Sequence, residues 1–281
     1  MIILILVVFW SLEMGKISRD FKKIRQKGVL TAERPIALED DALARYAFAV
    51  PYCKGKKVLD IGTGLGFGAG YIAFSGASCV LGIDYDKDAI NYASSNNKSS
   101  KVQYKCLNAL KLRNIGEKFD VILAFEIIEH LPLGRVKYFI ESLHDILESK
   151  GILLITTPNG LRKKLIFGEL YNPYHVKEYT GFELKKILKS HYTNIQIKGI
   201  RPKNKKYQIQ QTRIESSFLY KPIYYLGHFR FIRELVAYVP KNIKQFVTRE
   251  ETLPKLSCED FKLTKNWESC LGLFVRAEKK N

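Results

Sequence analysis

Between Val58 and Gly70 the chain reads VLDIGTGLGFGAG, with glycines at 62, 64, 66, 68 and 70 directly behind an apolar pair that ends in Asp60. Glycine at every second position marks a backbone that must take conformations a Cβ penalises and that can approach a ligand closely. The stretch therefore predicts a buried strand that passes through a tight turn into a helix. Everything else in the chain has to be placed around that cradle.

Ahead of it, DDALARYAFAVPY (residues 40–52) carries Leu43, Tyr46, Ala47 and Val50 at helical spacing and predicts a helix over the mouth of the sheet. Behind it, strands and helices alternate. KKVLDIG predicts a strand, GFGAGYIAFSG a helix, SCVLGIDYD a second strand and KDAINYASSNN a helix. KVQYKCLNA and FDVILAFEII predict the next two strands, RVKYFIESLHDILESK a helix, and GILLITTPN a fifth strand. GFELKKILKSH then predicts a helix, YTNIQIKGI a sixth strand and CLGLFVRAEK a seventh. Strands this apolar on both faces, alternating with helices, mean an α/β protein whose parallel sheet is covered on both sides.

The 281 residues and a hydrophobic share of 46% suit one large globular domain with an insertion. The domain is expected over residues 14–200 and 255–281, with an apolar extension at 1–13 and an insertion at 201–254 before the last strand. MIILILVVFW, residues 1–10, is about half the roughly twenty residues needed to cross a bilayer. It has neither the basic flank nor the cleavage site of a signal peptide. Two readings stay open: a short membrane-touching anchor, or a stretch ahead of the true start at Met14. The insertion is dense in lysine, arginine, tyrosine and phenylalanine, and is expected to be mostly helical. Cys53, Cys79, Cys106, Cys258 and Cys270 show no metal-ligand spacing, so free thiols in a reducing compartment are expected, and no metal. A formal charge of +18 favours an anionic partner without choosing among nucleic acid, membrane and phosphorylated substrate.

A pyrophosphate-binding loop would not place a carboxylate at its entrance, yet Asp60 stands there. That position suits a ligand with a cationic amine and no phosphate. Asp84 ends the second strand in GIDYD, where a carboxylate can accept both hydroxyls of a ribose. Asn108-Ala109 closes the third strand where an amide can reach an adenine edge, and the fourth runs into AFEIIEHL.

With these four motifs in register, the chain resembles class I S-adenosylmethionine-dependent methyltransferases over about residues 45–192. The nearest branch is the type 11 group that includes ubiquinone-pathway O-methyltransferases. The resemblance implies a Rossmann-like, doubly wound sheet of seven strands, mostly parallel with the last antiparallel, and S-adenosyl-L-methionine as cofactor. It implies that Asp60, Gly62, Thr63, Gly64 and Gly66 hold the methionine part, Asp84 with Tyr85 the ribose, and Asn108 with Ala109 the adenine. Phe125 and Glu126 would border the sulfonium. The family usually has Asp where Asn108 stands. Segments around ERPIALEDD and YNPYHVKEYTGFEL are also similar to methyltransferases of surface-glycan pathways.

Methyl transfer to a hydroxyl asks for alignment, worth about 7–11 kcal/mol at best, and for a base to take the proton. Histidine suits that task because it titrates near neutrality. His130 in IIEHL and His175 in NPYHVKEYT fall at the ligand end of the sheet; Glu129 is a further candidate, and Glu178 is expected to orient His175 or a lysine rather than take a proton. Asn172-Pro173-Tyr174 looks like part of the motif of amino-methylating nucleic-acid enzymes, but it lies away from the fourth strand, so nucleic acid is not the expected partner. The expectation is a cytoplasmic enzyme, at or near the inner membrane face, acting on a small molecule, a glycan or a lipid-linked precursor. A non-catalytic methyltransferase-like binding module and an N-methyltransferase are the alternatives, and Asp60 argues against an NAD enzyme.

Overall fold

The structure is a computed structural model that describes residues 40–97, 99–161, 174–204, 258–270 and 272–280. All of them belong to one compact unit, residues 37–205 with 256–281. The apolar extension at 1–13, the segment 162–173 and nearly all of the basic insertion lie outside the described residues.

Helix α1 (Asp40–Cys53) leads into β1 (Lys57–Ile61), the glycine loop and α2 (Phe67–Phe74). There follow β2 (Cys79–Asp84), α3 (Lys87–Asn96), β3 (Val102–Cys106), a short helical turn at Ala109–Ile115, and β4 (Phe119–Phe125). Next come α4 (Val136–Asp145), β5 (Leu147–Pro158), α5 (Gly181–Leu188) and β6 (Tyr192–Pro202), with β7 (Phe261–Thr264) and β8 (Gly272–Lys279) closing the chain. The strands form one mixed sheet in the order β3-β2-β1-β4-β5-β8-β6-β7. β1 pairs in parallel with β2 and β4, while β8 runs antiparallel to both β5 and β6. The fold is thus the Rossmann-like α/β sheet expected, with β8 as its antiparallel closing strand.

Two boundaries differ from expectation. The sheet has eight strands rather than seven, because Phe261–Thr264 pairs antiparallel with the end of β6. Four residues between polar stretches carry little periodicity of their own, and it is the long neighbour β6 that makes them a strand. The predicted helix over 135–150 stops at Asp145. Leu147 already pairs with Phe119, and the register then jumps to Val121↔Ile152. Lys150 at φ 62° and Gly151 make that bulge; a Cβ on Gly151 would lie 2.6 Å from Leu147 Cγ and 2.8 Å from Glu148 O.

Both faces of the sheet are buried, as parallel strands require. Val58, Val121, Leu123 and Leu154 point toward α1 and α2, where Ala44, Tyr46, Ala49, Ala69 and Ile72 complete one core. Leu59, Ile61, Ile122, Ala124 and Leu153 point to the other face, under Phe139, Leu143, Leu184 and Leu188 of α4 and α5. The period-two alternation therefore sends Asp60, two residues after Val58, to the α1 face. Local signals also close the helices: Asp86 caps α3 by accepting from Asp88 N and Ala89 N, and Thr180 with Glu183 forms a capping box on α5.

Among the described residues no helix is long and apolar enough to cross a membrane. Cys53 and Cys270 are buried and Cys79 and Cys106 exposed, all as free thiols.

Candidate active site

The glycine loop is pinned to the neighbouring strand by its own amides. Gly62 N and Thr63 N both donate to Ile83 O, at 2.8 and 3.0 Å, and Gly66 N donates to Thr63 O at 2.9 Å. Gly62, Gly64 and Gly66 sit at φ 73°, 54° and 83°, in the left-handed region that disfavours any Cβ by about 1–2 kcal/mol. Their surroundings separate their roles. A Cβ on Gly62 would come 2.3 Å from Ile127 Cδ1, and one on Gly68 1.9 Å from Tyr46 Cζ, whereas a Cβ on Gly64 meets nothing within 4 Å. Gly62 and Gly68 thus make room for the protein, whereas the space beside Gly64 is open. Gly62→Val is expected to cost about 2–4 kcal/mol of stability, read as a lower Tm. Gly64→Ala should cost roughly 1 kcal/mol and act mainly on ligand affinity in calorimetry.

Asp84 ends β2 beside this loop. Its Oδ2 accepts from Gly64 N and its Oδ1 from Asp86 N, both at 2.9 Å. Each oxygen keeps a second lone pair for a hydroxyl, and Tyr85 beyond it is 79% exposed. Asn108 Oδ1 accepts from Leu110 N at 2.8 Å and caps the turn that begins at Ala109. An aspartate does the same, which is why the amide can replace it here.

Asp60 is fully buried. Its Oδ2 accepts from Thr63 Oγ1 at 2.7 Å, and Tyr46 Oη reaches Oδ1 and Oδ2 at 3.1 and 3.3 Å. Burial pushes the carboxyl up to about 7 against the pull of those two hydroxyls, and Asp84 adds to the rise. With no exposed surface, Asp60 meets its surroundings only through those hydroxyl partners. Phe125 is likewise a core residue, edge-on to Tyr46 at 5.1 Å. Glu126 takes φ 53°, unusual for a residue with a side chain. Its N–H donates to Thr156 O, its Oε1 accepts from Thr156 Oγ1 at 3.0 Å, and Arg45 Nε lies 3.7 Å away.

Glu129, His130 and His175 come together past the end of β4. The loop carrying His175 is tied there by Val176 N and Lys177 N donating to Glu129 O, and by Gly160 N donating to Tyr179 O. Asn159 holds the end of β5 by donating to Trp267 O and Cys270 O, both at 2.8 Å. His175 Nδ1 stands 2.8 Å from Glu178 Oε1, with side chains 7% and 2% exposed. His130 Nδ1 is 3.0 Å from Tyr174 O, and the two imidazoles meet edge to face at 4.8 Å. Glu129 is buried; its Oε2 accepts from Thr157 Oγ1 at 3.0 Å, and its Oε1 has no hydrogen-bond partner. Burial and the neighbouring Glu126 raise its carboxyl to about 8. One donor atom from each of Glu129, His130 and His175 lies within 4.8 Å of the others. No metal was expected from the sequence, but this is a donor set of the type that holds a divalent ion.

Of the predicted residues, Asp60, Gly62, Thr63, Gly64, Gly66 and Asp84 are joined by hydrogen bonds at the glycine loop, Tyr85 follows Asp84, and Asn108 and Ala109 open the turn after β3. Phe125 ends β4 with Glu126 directly after it, and Glu129, His130 and His175 meet past that strand. Ile127, packed on Gly62, joins them. Tyr46, Arg45 and Thr157 join the site without any signal in the motifs; only the helical spacing of α1 marked Tyr46, and it marked it as core.

An eight-stranded sheet with an antiparallel β8 between β5 and β6, and a glycine-rich turn after β1, has the class I methyltransferase architecture. A family model described as a methyltransferase domain matches residues 53–214, and the chain belongs to that family. A probable S-adenosylmethionine-dependent methyltransferase of Mycobacterium tuberculosis (strain CDC 1551 / Oshkosh) is 31% identical over 143 residues, 51% of this chain and 50% of that protein. A ubiquinone biosynthesis O-methyltransferase of Pelagibacter ubique (strain HTCC1062) is 36% identical over 126 residues, 44% of this chain and 51% of that protein. The chain therefore spans about half the length of the curated relatives it matches. In fold it is similar to a SAM-dependent methyltransferase from Archaeoglobus fulgidus, with a TM-score of 0.54 and 19% identity over 85% of this chain and 93% of that one. The N-methyltransferase NodS from Bradyrhizobium japonicum WM9 shares the fold at a TM-score of 0.52 and 12% identity, over 92% and 98% of the two chains.

Proposed function

We propose that this protein transfers a methyl group from S-adenosyl-L-methionine to a hydroxyl, with His175 as the general base. Family membership and the names of the relatives support the donor. The residues present fit it too: an open cradle at Gly64, carboxylates at Asp60 and Asp84 in place of a phosphate site, and an exposed ring at Tyr85. Bound there, the cofactor supplies an electrophilic methyl on a sulfonium, so this chain's own task is to align the acceptor and to take its proton.

The observation that carries the hydroxyl reading is the His175–Glu178 pair at 2.8 Å. A carboxylate can only accept, so Nδ1 carries the ring proton and Nε2 is the basic nitrogen of the ring. Nε2 would take the proton of an acceptor hydroxyl, and Glu178 would stabilise the imidazolium. An amine acceptor that arrives neutral has less need of such a base. The acceptor class is a small molecule, a glycan or a lipid-linked precursor, and the charge of +18 favours one with an anionic part, such as a diphosphate. The basic stretch 201–254 is proposed as its cover or as a contact with an anionic membrane face.

Methyl transfer from labelled S-adenosylmethionine to matched hydroxyl and amine acceptors tests this. Labelled ether products support it, and label on the amines alone would sink it. A second reading has its own support in the unpartnered Glu129 Oε1 beside His130 and His175. In that reading a divalent ion on these residues lowers the pKa of the acceptor hydroxyl. A chelator separates the two: with His175 as base, turnover is expected to stay within about twofold after metal removal. A loss restored by added metal would favour the ion.

A further inference from the structure

Tyr46 lies outside every motif that marks the cofactor site, yet it is built into it. Its hydroxyl donates to Asp60 from fourteen residues upstream. Its ring occupies the space over Gly68, where a Cβ would come within 1.9 Å of Cζ, and it packs edge-on against Phe125 at 5.1 Å. The phenol is therefore locked between the glycine-loop helix and the ends of β1 and β4. A freely rotating side chain could not hold one carboxylate so consistently.

We propose that Tyr46 is a positioning residue of the cofactor site: its hydroxyl holds the Asp60 carboxylate oriented and charged beneath the glycine loop, so that the loop presents a negative potential to the cationic amine of the cofactor. The inference rests on the proposed cofactor. Asp60 is fully buried, and the hydroxyls of Tyr46 and Thr63 donate to its carboxylate. The other groups that face it do not. From α1, the Cys53 thiol is pushed up to about 12 and stays neutral, and Arg45 supplies the nearby cation acting on Tyr46. From β2, the Asp84 carboxylate repels it, and from β3, Tyr104 is raised and neutral. Without the Tyr46 donor the carboxyl would take up its proton at a higher pH, above its present value of about 7. A neutral Asp60 no longer contributes to the negative potential at the loop.

The test is calorimetry of S-adenosylhomocysteine binding to the wild type and to Tyr46→Phe, across pH 6 to 8.5. The phenylalanine ring still fills the space on Gly68, and circular dichroism confirms that the variant is folded. Wild-type affinity is expected to rise through neutral pH. Tyr46→Phe should bind roughly tenfold more weakly near pH 7, with its rise displaced to higher pH and the deficit narrowing toward pH 8.5. In an Asp60→Asn background the same substitution should no longer move the pH profile. A deficit of equal size at every pH would mean that Tyr46 only packs, and would overturn the proposal, as would wild-type affinity. If the wild type itself gave no heat, the cofactor reading would fail first, and the proposal with it.

Discussion

Asp60→Asn is expected to make the ligand-free protein more stable above neutral pH while weakening S-adenosylhomocysteine binding by at least about tenfold. The carboxyl of Asp60 is raised from 3.8 to about 7 by burial. A folded-state pKa above the unfolded one means that the folded protein binds the proton more tightly. The stability this contributes is fully present below about pH 4 and is lost as pH rises through about 7. Above that range the native state carries a buried charge at a cost on the order of 2–4 kcal/mol. Asparagine has nearly the same shape, and the Tyr46 and Thr63 hydroxyls can turn to accept from its amide. Chemical denaturation should therefore show no gain for Asp60→Asn near pH 4, a gain that grows to neutrality, and a plateau beyond it. Equal stability of the two proteins at pH 8 would show that the buried carboxylate is solvated by something other than those two hydroxyls.

His175→Ala should lower kcat by about 10²–10⁴ with little change in cofactor affinity, since a base within hydrogen-bond reach contributes about that much. Glu178→Gln should lower it less, because the amide can still hold the ring but no longer stabilises its protonated form. His130→Ala is expected to cost less than His175→Ala: His130 Nδ1 is engaged with the Tyr174 carbonyl, and its ring is exposed beside that of His175. Steady-state rates on a hydroxyl acceptor, taken with calorimetry on the same variants, check the order. Equal collapse in Glu129→Gln, His130→Ala and His175→Ala would replace a single base with a shared metal ion.

The glycine pattern announced the turn and helix around Gly62 because left-handed φ values leave a direct trace in composition. The strands apolar on both faces gave the parallel sheet for the same reason: burial on both faces removes polar residues from the string. Short pairing left no such trace. Phe261–Thr264 is a strand because the edge of β6 opposite β8, at Gly199–Pro202, offers it partners. The end of the α4 segment looked helical because Leu147 and Ile146 keep helical spacing, and the pairing of Leu147 with Phe119 overrode it.

The chemistry divides along the same line. Asp60, Asp84, Asn108 and the glycines are legible because each stands at the end of a strand, and strand ends are readable from local pattern. His130 and His175 were singled out by chain position, but their edge-to-face approach depends on two loops 45 residues apart meeting at Glu129 O. Local sequence alone determined the α/β sheet, the cradle and its acidic surroundings, because those rest on backbone conformation and burial within a few residues. Tertiary structure decided that Asp60 is sealed behind Tyr46, that Gly68 serves a tyrosine rather than a ligand, and that Glu129 faces two histidines with an unpartnered oxygen. Those are contacts between distant segments, and only the packing of α1 and the His175 loop against the sheet brings them within hydrogen-bond range.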